Sequence, residues 1–469
     1  MSRSLAVWGT TSGAGKSLVT TGLARWFARQ GVRVVPFKAQ NMSNHARVVE
    51  GGEIGAAQWL QALAAGVDPD VRMNPVLTKP EADGRSQVVV LGQVDEDLSR
   101  AAWRGRATSV WPRVVDALDD LRADADLVLV EGAGSPAETN LADVDLANLA
   151  TADHLDAPAL LLADIDRGGA FAHLFGTWSL VPDDHRHRIA GFVLNRFRGD
   201  PTLLAPAPEE LSGRTGVPTI GVLPELAHRL PDEDGASFAP VVRGGRPRVG
   251  VVRYPTASNL DELAGVVEVA DVVAATEPRH LVDAELIVLP GAKHVTSDAA
   301  WLRTSGVGAA IRGAAEAGVR VLGICGGAQL LGEDVVDADG VEGPAGVRVD
   351  GLGLLPLRTE LHRAKVVRAT TIELPRELAR PWEAVAGRRA RAYEIHHGHT
   401  GPTDDGRQVW SHGPVLAVTA HGLLEDPDVV EVLLGRRPTG LDATFDLLAD
   451  AVEEHLDTEQ LRRIAGFDG

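Results

Sequence analysis

The sequence predicts an α/β protein built twice over, with an N-terminal parallel-sheet domain followed by a second α/β domain. Three observations carry this reading. Short β-branched runs alternate with helix-spaced apolar patterns in both halves of the 469 residues, and that length exceeds one ordinary core. A polar, Pro/Gly-rich stretch without periodicity, Leu230–Pro247, separates the two series. Each half also places a glycine-rich turn after a strand: GTTSGAGKS at Gly9–Ser17 and VLGICGGAQLLG around Cys325.

In the first half the predicted strands are Leu5–Trp8, Val32–Pro36, Leu127–Val130, Ala159–Ala163, Ile189–Leu194 and Thr219–Val222. Ser17–Arg29 and Ile54–Ala65 carry apolar residues at helical spacing between them. The second half predicts strands Arg248–Arg253, Leu286–Leu289, Val319–Ile324, Val366–Ile372 and Val415–Thr419, with a helix over Val307–Ala317. In the tail, Phe445, Leu448, Val452 and Leu456 share one helical face, which is expected to pack on the parent domain. The predicted domain bounds are therefore 1–235, a linker at 236–247, 248–435, and a helical tail at 436–469.

Composition narrows the function classes. Apolar residues make up 44% and charged residues 24%, a globular profile. The formal charge is 46 − 65 = −19, which argues against nonspecific nucleic-acid binding and requires local positive groups for any anionic ligand. One cysteine excludes an internal disulfide framework and fits a reducing cytoplasm. The N-terminal run MSRSLAVWG lacks the features of a signal peptide. No window approaches about 18 unbroken apolar residues, so no membrane span is predicted.

The segment Gly9–Ser17 lies between a short strand and a helix, where backbone N–H groups and the helix N-terminus hold phosphates. Gly15, Lys16 and Ser17 match the end of the general phosphate loop, but the position five before Gly15 is Thr10, and Gly9 comes one residue early. This longer form resembles the dethiobiotin-synthetase-like branch of the P-loop proteins. Thr10, Thr11, Gly13, Ala14, Gly15, Lys16 and Ser17 are the expected nucleotide cradle, with Ser17 as a Mg²⁺ ligand. Glu131 ends the strand run LVLVE at the carboxyl edge of the sheet and is a second candidate ligand for Mg²⁺. Asp164, Asp166 and Arg167 in LADIDRGG and Asn195 in VLNRFR occupy further strand ends; Asn195 stands where a base-reading asparagine is placed.

Cys325 sits between the apolar run Val319–Ile324 and Gly326-Gly327, which begin a helix-forming segment. A strand-to-helix elbow exposes a nucleophile, and amides at the following helix favour a thiolate and an oxyanion. Gly291 or Ala292, in the turn after LIVLPG, would add an oxyanion N–H. A thiolate nucleophile needs a base, and the candidates are His396, His397 and His399 in YEIHHGHT and His421 in VTAHGLLED. Spacing alone does not choose between His396 and His421. No metal is expected at the histidine run, because no cysteine accompanies it and adjacent residues of a strand face opposite ways.

Taken together, GTTSGAGKS, FKAQNMSNH, NPVLTKP, EGAGSPAETNL, DIDRGG, LNRFRGD, LPGAKHV, GICGGAQLLG, GLGLLP and YEIHHG resemble the cobyric acid synthase family across nearly the whole chain. The segment FKAQNMS is the part that separates this family from the cobyrinic acid a,c-diamide synthases. The resemblance implies an ATP-, Mg²⁺- and glutamine-dependent amidoligase acting on a corrinoid, with no nucleic-acid or membrane partner. It also implies a class I glutamine amidotransferase fold for the C-terminal half. It maps the nucleophile onto Cys325 and the base onto His421, leaving His396 to line the site with Lys38, Gln40, Asn41, Gly291 and Gly326.

The chain departs from the family pattern where Val-Thr-Ala precedes His421 in place of a Tyr-containing run. Leu423 also stands where related enzymes carry the triad glutamate. No triad acid is thereby assigned, and Glu425 is the stand-in. Lys79, Arg85, Arg167 and Arg198 are candidates for pairing with substrate carboxylates. The competing readings are the a,c-diamide synthase, another two-domain amidoligase, and a ParA/MinD-like ATPase switch; the switch gives no reason for an elbow cysteine.

Overall fold

The computed structural model describes residues 2–80, 86–226, 228, 230, 244–378, 380–401 and 406–467. Arg85 and most of the predicted boundary segment lie outside them. The chain divides into one unit of Met1–Ala236 with Leu441–Gly469 and another of Ser237–Gly440.

In the first unit a six-stranded sheet runs, edge to edge, Thr219–Pro224, Ile189–Phe197, Ala159–Asp164, Arg3–Gly9, Leu127–Glu131 and Val34–Phe37, with every neighbouring pair parallel. Successive residues of the central strand go to opposite cores: Ala6 and Trp8 pack with Val128 and Leu161, while Leu5 and Val7 pack with Leu129 and Leu160. With both faces covered, the strand ends are where polar residues collect. The first strand lies where the chain's winding reverses, so its loop opens at the crevice such sheets use for ligands. A smaller four-stranded sheet built from residues 40–94 and a hairpin, Ala46–Val49 with Gly52–Gly55, belong to this unit and were not predicted.

The tail corrects the sequence expectation. Its helix Leu441–His455 packs against the helix Lys16–Arg29 of the N-terminal unit, not against the domain that precedes it in sequence. Phe445, Leu448 and Val452 are buried there, beside Leu23, Ala24 and Phe27. Arg25 and Arg29 pair with Asp446 and Asp450 along the same seam. Past the helix, Asp457 N–H donates to Ile220 O at 2.7 Å, covering the sheet's edge strand. The predicted face was right, but its partner lay more than 400 residues upstream, at |i−j| = 421 for Arg25 and Asp446.

The second unit holds another six-stranded sheet in the order Asp271–Ala275, Arg248–Val252, Leu286–Leu289, Arg320–Ile324, Val415–Val418 and Val409–His412. Only the last strand is antiparallel to its neighbour. Beside it a four-stranded sheet contains the long antiparallel pair Arg358–Glu373 and Arg389–Thr400, which places YEIHHGHT on a strand.

The tail seam yields a stability prediction. Leu448 is 3% exposed and lies over Gly22, where a Cβ would stand 3.1 Å from Leu448 O. Leu448→Ala should destabilise the N-terminal unit by about 2–5 kcal/mol, and Gly22→Val should destabilise it by overpacking. Urea unfolding read by circular dichroism checks both; a seam that carries no energy would leave the midpoint unmoved.

Candidate active sites

At the end of the first strand, Gly9–Ser17 closes through a 3₁₀ turn at Ser12–Ala14 and enters the helix Lys16–Arg29. Gly15 sits at φ +88°, a left-handed conformation, and a Cβ there would collide with the Asn195 amide. Asn195, buried near the carboxyl end of its strand, donates from Nδ2 to Ala14 O at 3.0 Å and thus braces the loop. Buried Lys16 folds back along the loop, its Nζ donating to Thr11 O at 3.2 Å, Ser12 O at 3.1 Å and Gly134 O at 3.3 Å. Thr10 continues the strand by donating its N–H to Leu162 O. The Arg167 guanidinium lies over the loop, 2.9 Å from where a Gly13 Cβ would stand.

Glu131 organises the rest of this site. It is fully buried, accepting from Ser17 Oγ at 2.9 Å and pairing with Lys38 Nζ at 2.6 Å through Oε1. Gln61 donates to Oε2, and Gln58 lies 3.5 Å from the same oxygen. Burial pushes the Glu131 carboxyl up, but Lys38, Gln61 and Lys16 hold it below the ordinary range, so it stays ionised. Asn41 joins through Gln58, donating to its Oε1 at 3.2 Å. Gln40 turns elsewhere, lining an apolar recess with Val76, Val88 and Val110. Asp164 and Asp166 are tied to their own strand ends, Asp164 to Arg196 and Arg167 and Asp166 to Arg198. Lys79 forms a buried ion pair with Glu53. Gln58 and Gln61 were not singled out from sequence, although two glutamines at i, i+3 in the apolar helix AAQWLQALAA are a readable signal.

In the second unit Cys325 joins the strand Arg320–Ile324 to the short helix Gly326–Leu331 at φ +51°, ψ −111°. For a residue with a side chain that conformation is strained, and the surroundings hold it in place. Cys325 N–H donates to Val418 O at 2.8 Å, and the Gly326 backbone presses on Ala292, whose N would lie 2.6 Å from an added Cβ. Gly291 is equally close to His421: a Cβ there would stand 2.8 Å from the ring's Cε1.

His421 is buried, and its charge acts on the Cys325 thiol. On its far side Nδ1 lies 3.1 Å from Glu262 Oε1, while Gly422 N–H donates to Glu262 Oε2 at 3.0 Å. Glu262 is the acid the sequence left open, and it replaces Glu425 as His421's partner. The ring also stacks on Tyr393 at 5.2 Å and 17°, and the two residues exchange backbone hydrogen bonds. Tyr393 thus supplies the aromatic packing that Val-Thr-Ala does not, with its hydroxyl held by Asn259 Nδ2 at 3.0 Å.

Electrostatics follow this geometry. Burial alone would raise the thiol, yet the His421 charge, with a smaller contribution from His396, brings it below its ordinary value. Burial likewise opposes charge on His421, but Cys325 and Glu262 on either side raise it strongly. Each group thus favours the charged form of the other: the imidazolium lowers the thiol, and the thiolate raises the imidazole. The helix after the elbow has six residues, so its dipole adds little beside the imidazolium. His396 is the second histidine here, with Nε2 3.6 Å from Glu394 Oε1. Glu394, despite burial, is held at about 2 by His396 and Arg368.

Residues 5–234 match the model of a CobQ/CobB/MinD/ParA nucleotide binding domain, and residues 248–423 that of a CobB/CobQ-like glutamine amidotransferase domain. The chain is 47% identical to a cobyric acid synthase of Polaromonas sp. (strain JS666), over 99% of this chain and 98% of that protein. It is 50% identical to one of Variovorax paradoxus, over 98% of each. A cobyric acid synthase of Paracidovorax citrulli is 51% identical, over 97% of this chain and 98% of the relative.

With one cysteine in the chain, alkylation by iodoacetamide reports a single thiol. The rate should rise with pH through an inflection below that of an ordinary thiol. In His421→Ala the lowering charge is gone and burial remains, so the inflection should move above the ordinary value. Equal inflections in the two proteins would remove the ion pair.

Proposed function

The chain belongs to the cobyric acid synthase family, and on that premise we propose that it amidates the b, d, e and g carboxylates of adenosylcobyrinic acid a,c-diamide. As an enzyme it is an ATP-dependent amidoligase that uses glutamine. The observation that carries the assignment of roles is the strained cysteine held between Val418 O and the His421–Glu262 pair, in a chain that also carries a phosphate loop.

In this reading the Cys325 thiolate attacks the side-chain carbonyl carbon of glutamine. Backbone N–H groups at Gly326 and at Gly291 or Ala292 face the developing oxyanion. His421 gives its proton to the departing nitrogen, so ammonia leaves as the thioester forms. Water then attacks the thioester, His421 takes a proton from it, and glutamate departs with the thiolate restored. Glu262 is a positioning residue: it fixes the imidazole's orientation and stabilises its charge. His396 lines the pocket.

A carboxylate is a poor electrophile, so each one is first phosphorylated by ATP. Ammonia then attacks the acyl phosphate carbon and phosphate leaves. Lys16 and the loop amides would hold the phosphates, with Thr10, Thr11, Gly13 and Ala14 shaping the cradle and Asn195 bracing it beside the base. A serine hydroxyl 2.9 Å from an ionised glutamate is a hard-oxygen donor pair that suits Mg²⁺. Held by Ser17 and Glu131, the ion would neutralise phosphate charge. Lys38, Asn41 and Arg167 are the proposed corrinoid-side groups, and Gln40 is a less direct one. A reducing, cytoplasmic setting belongs to this reading, because the lone thiol has to stay free.

Three experiments test it. Incubation with adenosylcobyrinic acid a,c-diamide, glutamine and Mg-ATP should give successive carboxyl-to-amide mass shifts, one per carboxylate; no shift would remove the substrate. Cys325→Ala should lose glutamine-dependent synthesis by at least about 10³-fold while synthesis from ammonia persists. Glu262→Gln should lower glutaminase kcat/KM roughly 10²-fold or more. It should also move the alkaline limb to lower pH, since the carboxylate that raises His421 is gone.

A further inference from the structure

Among the described residues, one group of three side chains has the make-up of a metal site: Glu360, His362 and His399. They lie on the long antiparallel strand pair of the second unit. We propose that these residues bind a divalent transition ion of the Zn²⁺ class, with Asp339 as the outer-shell residue that orients His362.

Strand register brings the group together. Glu360 pairs directly with His399 across the ladder, and His362 follows Glu360 by two, the spacing that shares a strand face. Beyond that pair the ladder slips: it resumes at Lys365 opposite His397, so four residues of one strand face Gly398 alone. Gly398 sits at φ +69°, and a Cβ there would collide with Glu360 O. Any other residue at 398 would push the strands apart where the ligands meet. The sequence expectation of no metal weighed the histidine run by itself. Two of the three ligands come from the neighbouring strand.

Side-chain geometry points the donors at one another. His362 Nε2 is 3.6 Å from Glu360 Oε2, and the His362 and His399 rings lie nearly parallel with centroids 6.0 Å apart. The three ligand atoms fall within 4.8 Å of one another. Bonds of about 2.0–2.1 Å in a tetrahedron would draw them to roughly 3.4 Å, within the reach of rotamer changes in half-exposed side chains. The other nitrogen of His362 is already engaged, with Nδ1 3.3 Å from Asp339 Oδ2. A carboxylate on one imidazole nitrogen fixes the tautomer that presents the other to a metal. Asp339 is itself anchored, accepting from Arg363 N–H at 3.1 Å, and the His397 ring holds His362 O at 3.1 Å.

Two imidazoles and one carboxylate favour Zn²⁺ over Mg²⁺ or Ca²⁺, which take oxygen ligands, and leave a fourth position for water. Bound there, the ion would cross-link the strand that carries Ile395 and His396 beside Cys325 to its neighbour.

The test uses the full chain after chelator treatment, with Zn²⁺ alone titrated calorimetrically. A Cys325→Ser background removes the one thiolate. One saturable site per chain is expected, with His362→Ala and His399→Ala each at least tenfold weaker. Asp339→Asn should be about 10- to 100-fold weaker, the range for an outer-shell partner. Glu360→Gln, which keeps the side chain's size, gives the same readout if an alanine variant misfolds by circular dichroism. Absence of saturable binding in the parent protein, or unchanged affinity in the folded variants, overturns the proposal.

Discussion

A carboxylate removed from water has to be surrounded by donors, and both candidate sites are built around that constraint. Glu131 is fully buried and Glu262 is 1% exposed. A buried, unpaired carboxylate costs several kcal/mol, so each dictates what stands beside it. Glu131 gathers Ser17, Lys38 and, from one helix, Gln61 and more distantly Gln58. Glu262 gathers the His421 ring and the Gly422 amide. In each case the charge that must be satisfied is also the charge that orients a reactive group: the hydroxyl of Ser17 in one, the imidazole of His421 in the other.

The sheets explain why these clusters sit where they do. Strands with both faces buried alternate their residues between two apolar cores, and no charge is tolerated along their length. Charge is confined to the strand ends, amino as well as carboxyl. Glu131 and Asp164 occupy two carboxyl ends in the first unit, with Asn195 paired beside Asp164, and Cys325 follows a third in the second. Strain at Cys325 is tolerated because its amide is bonded to the adjacent strand and the elbow's glycines let Ala292 and Leu289 close against it.

What the sequence disclosed and what it concealed divide along the same line. The phosphate loop was readable because its chemistry is contiguous, nine residues between a strand and a helix. Cys325 was readable because its glycines advertise a tight turn. Glu262 was not, since its partner is 159 positions away and NLDELAG carries no turn or motif of its own. Tyr393 was concealed for a similar reason: it reaches His421 through a bridge outside the main ladder. The tail's apolar face was visible but its partner helix was not, because periodicity names a buried face and never what buries it. The strand Asp271–Ala275 was missed within the largely apolar run VVEVADVVAA, where period alone does not separate helix from strand.

The strand Arg389–Thr400 joins these themes. Tyr393 stacks on His421, Ile395 O faces the Cys325 sulfur at 4.0 Å, and His396 lies close enough to help lower the thiol. One wall of the thiol site is therefore a β-strand from the smaller sheet, not a loop of the parallel one. A strand held by a ladder on one side is rigid only as far as that ladder is regular, and this ladder slips immediately after His397. The groups that repair the slip, Asp339 and the His397 ring, act from outside the thiol site. The far end of the strand that walls Cys325 is thus held by groups that do not themselves touch the thiol.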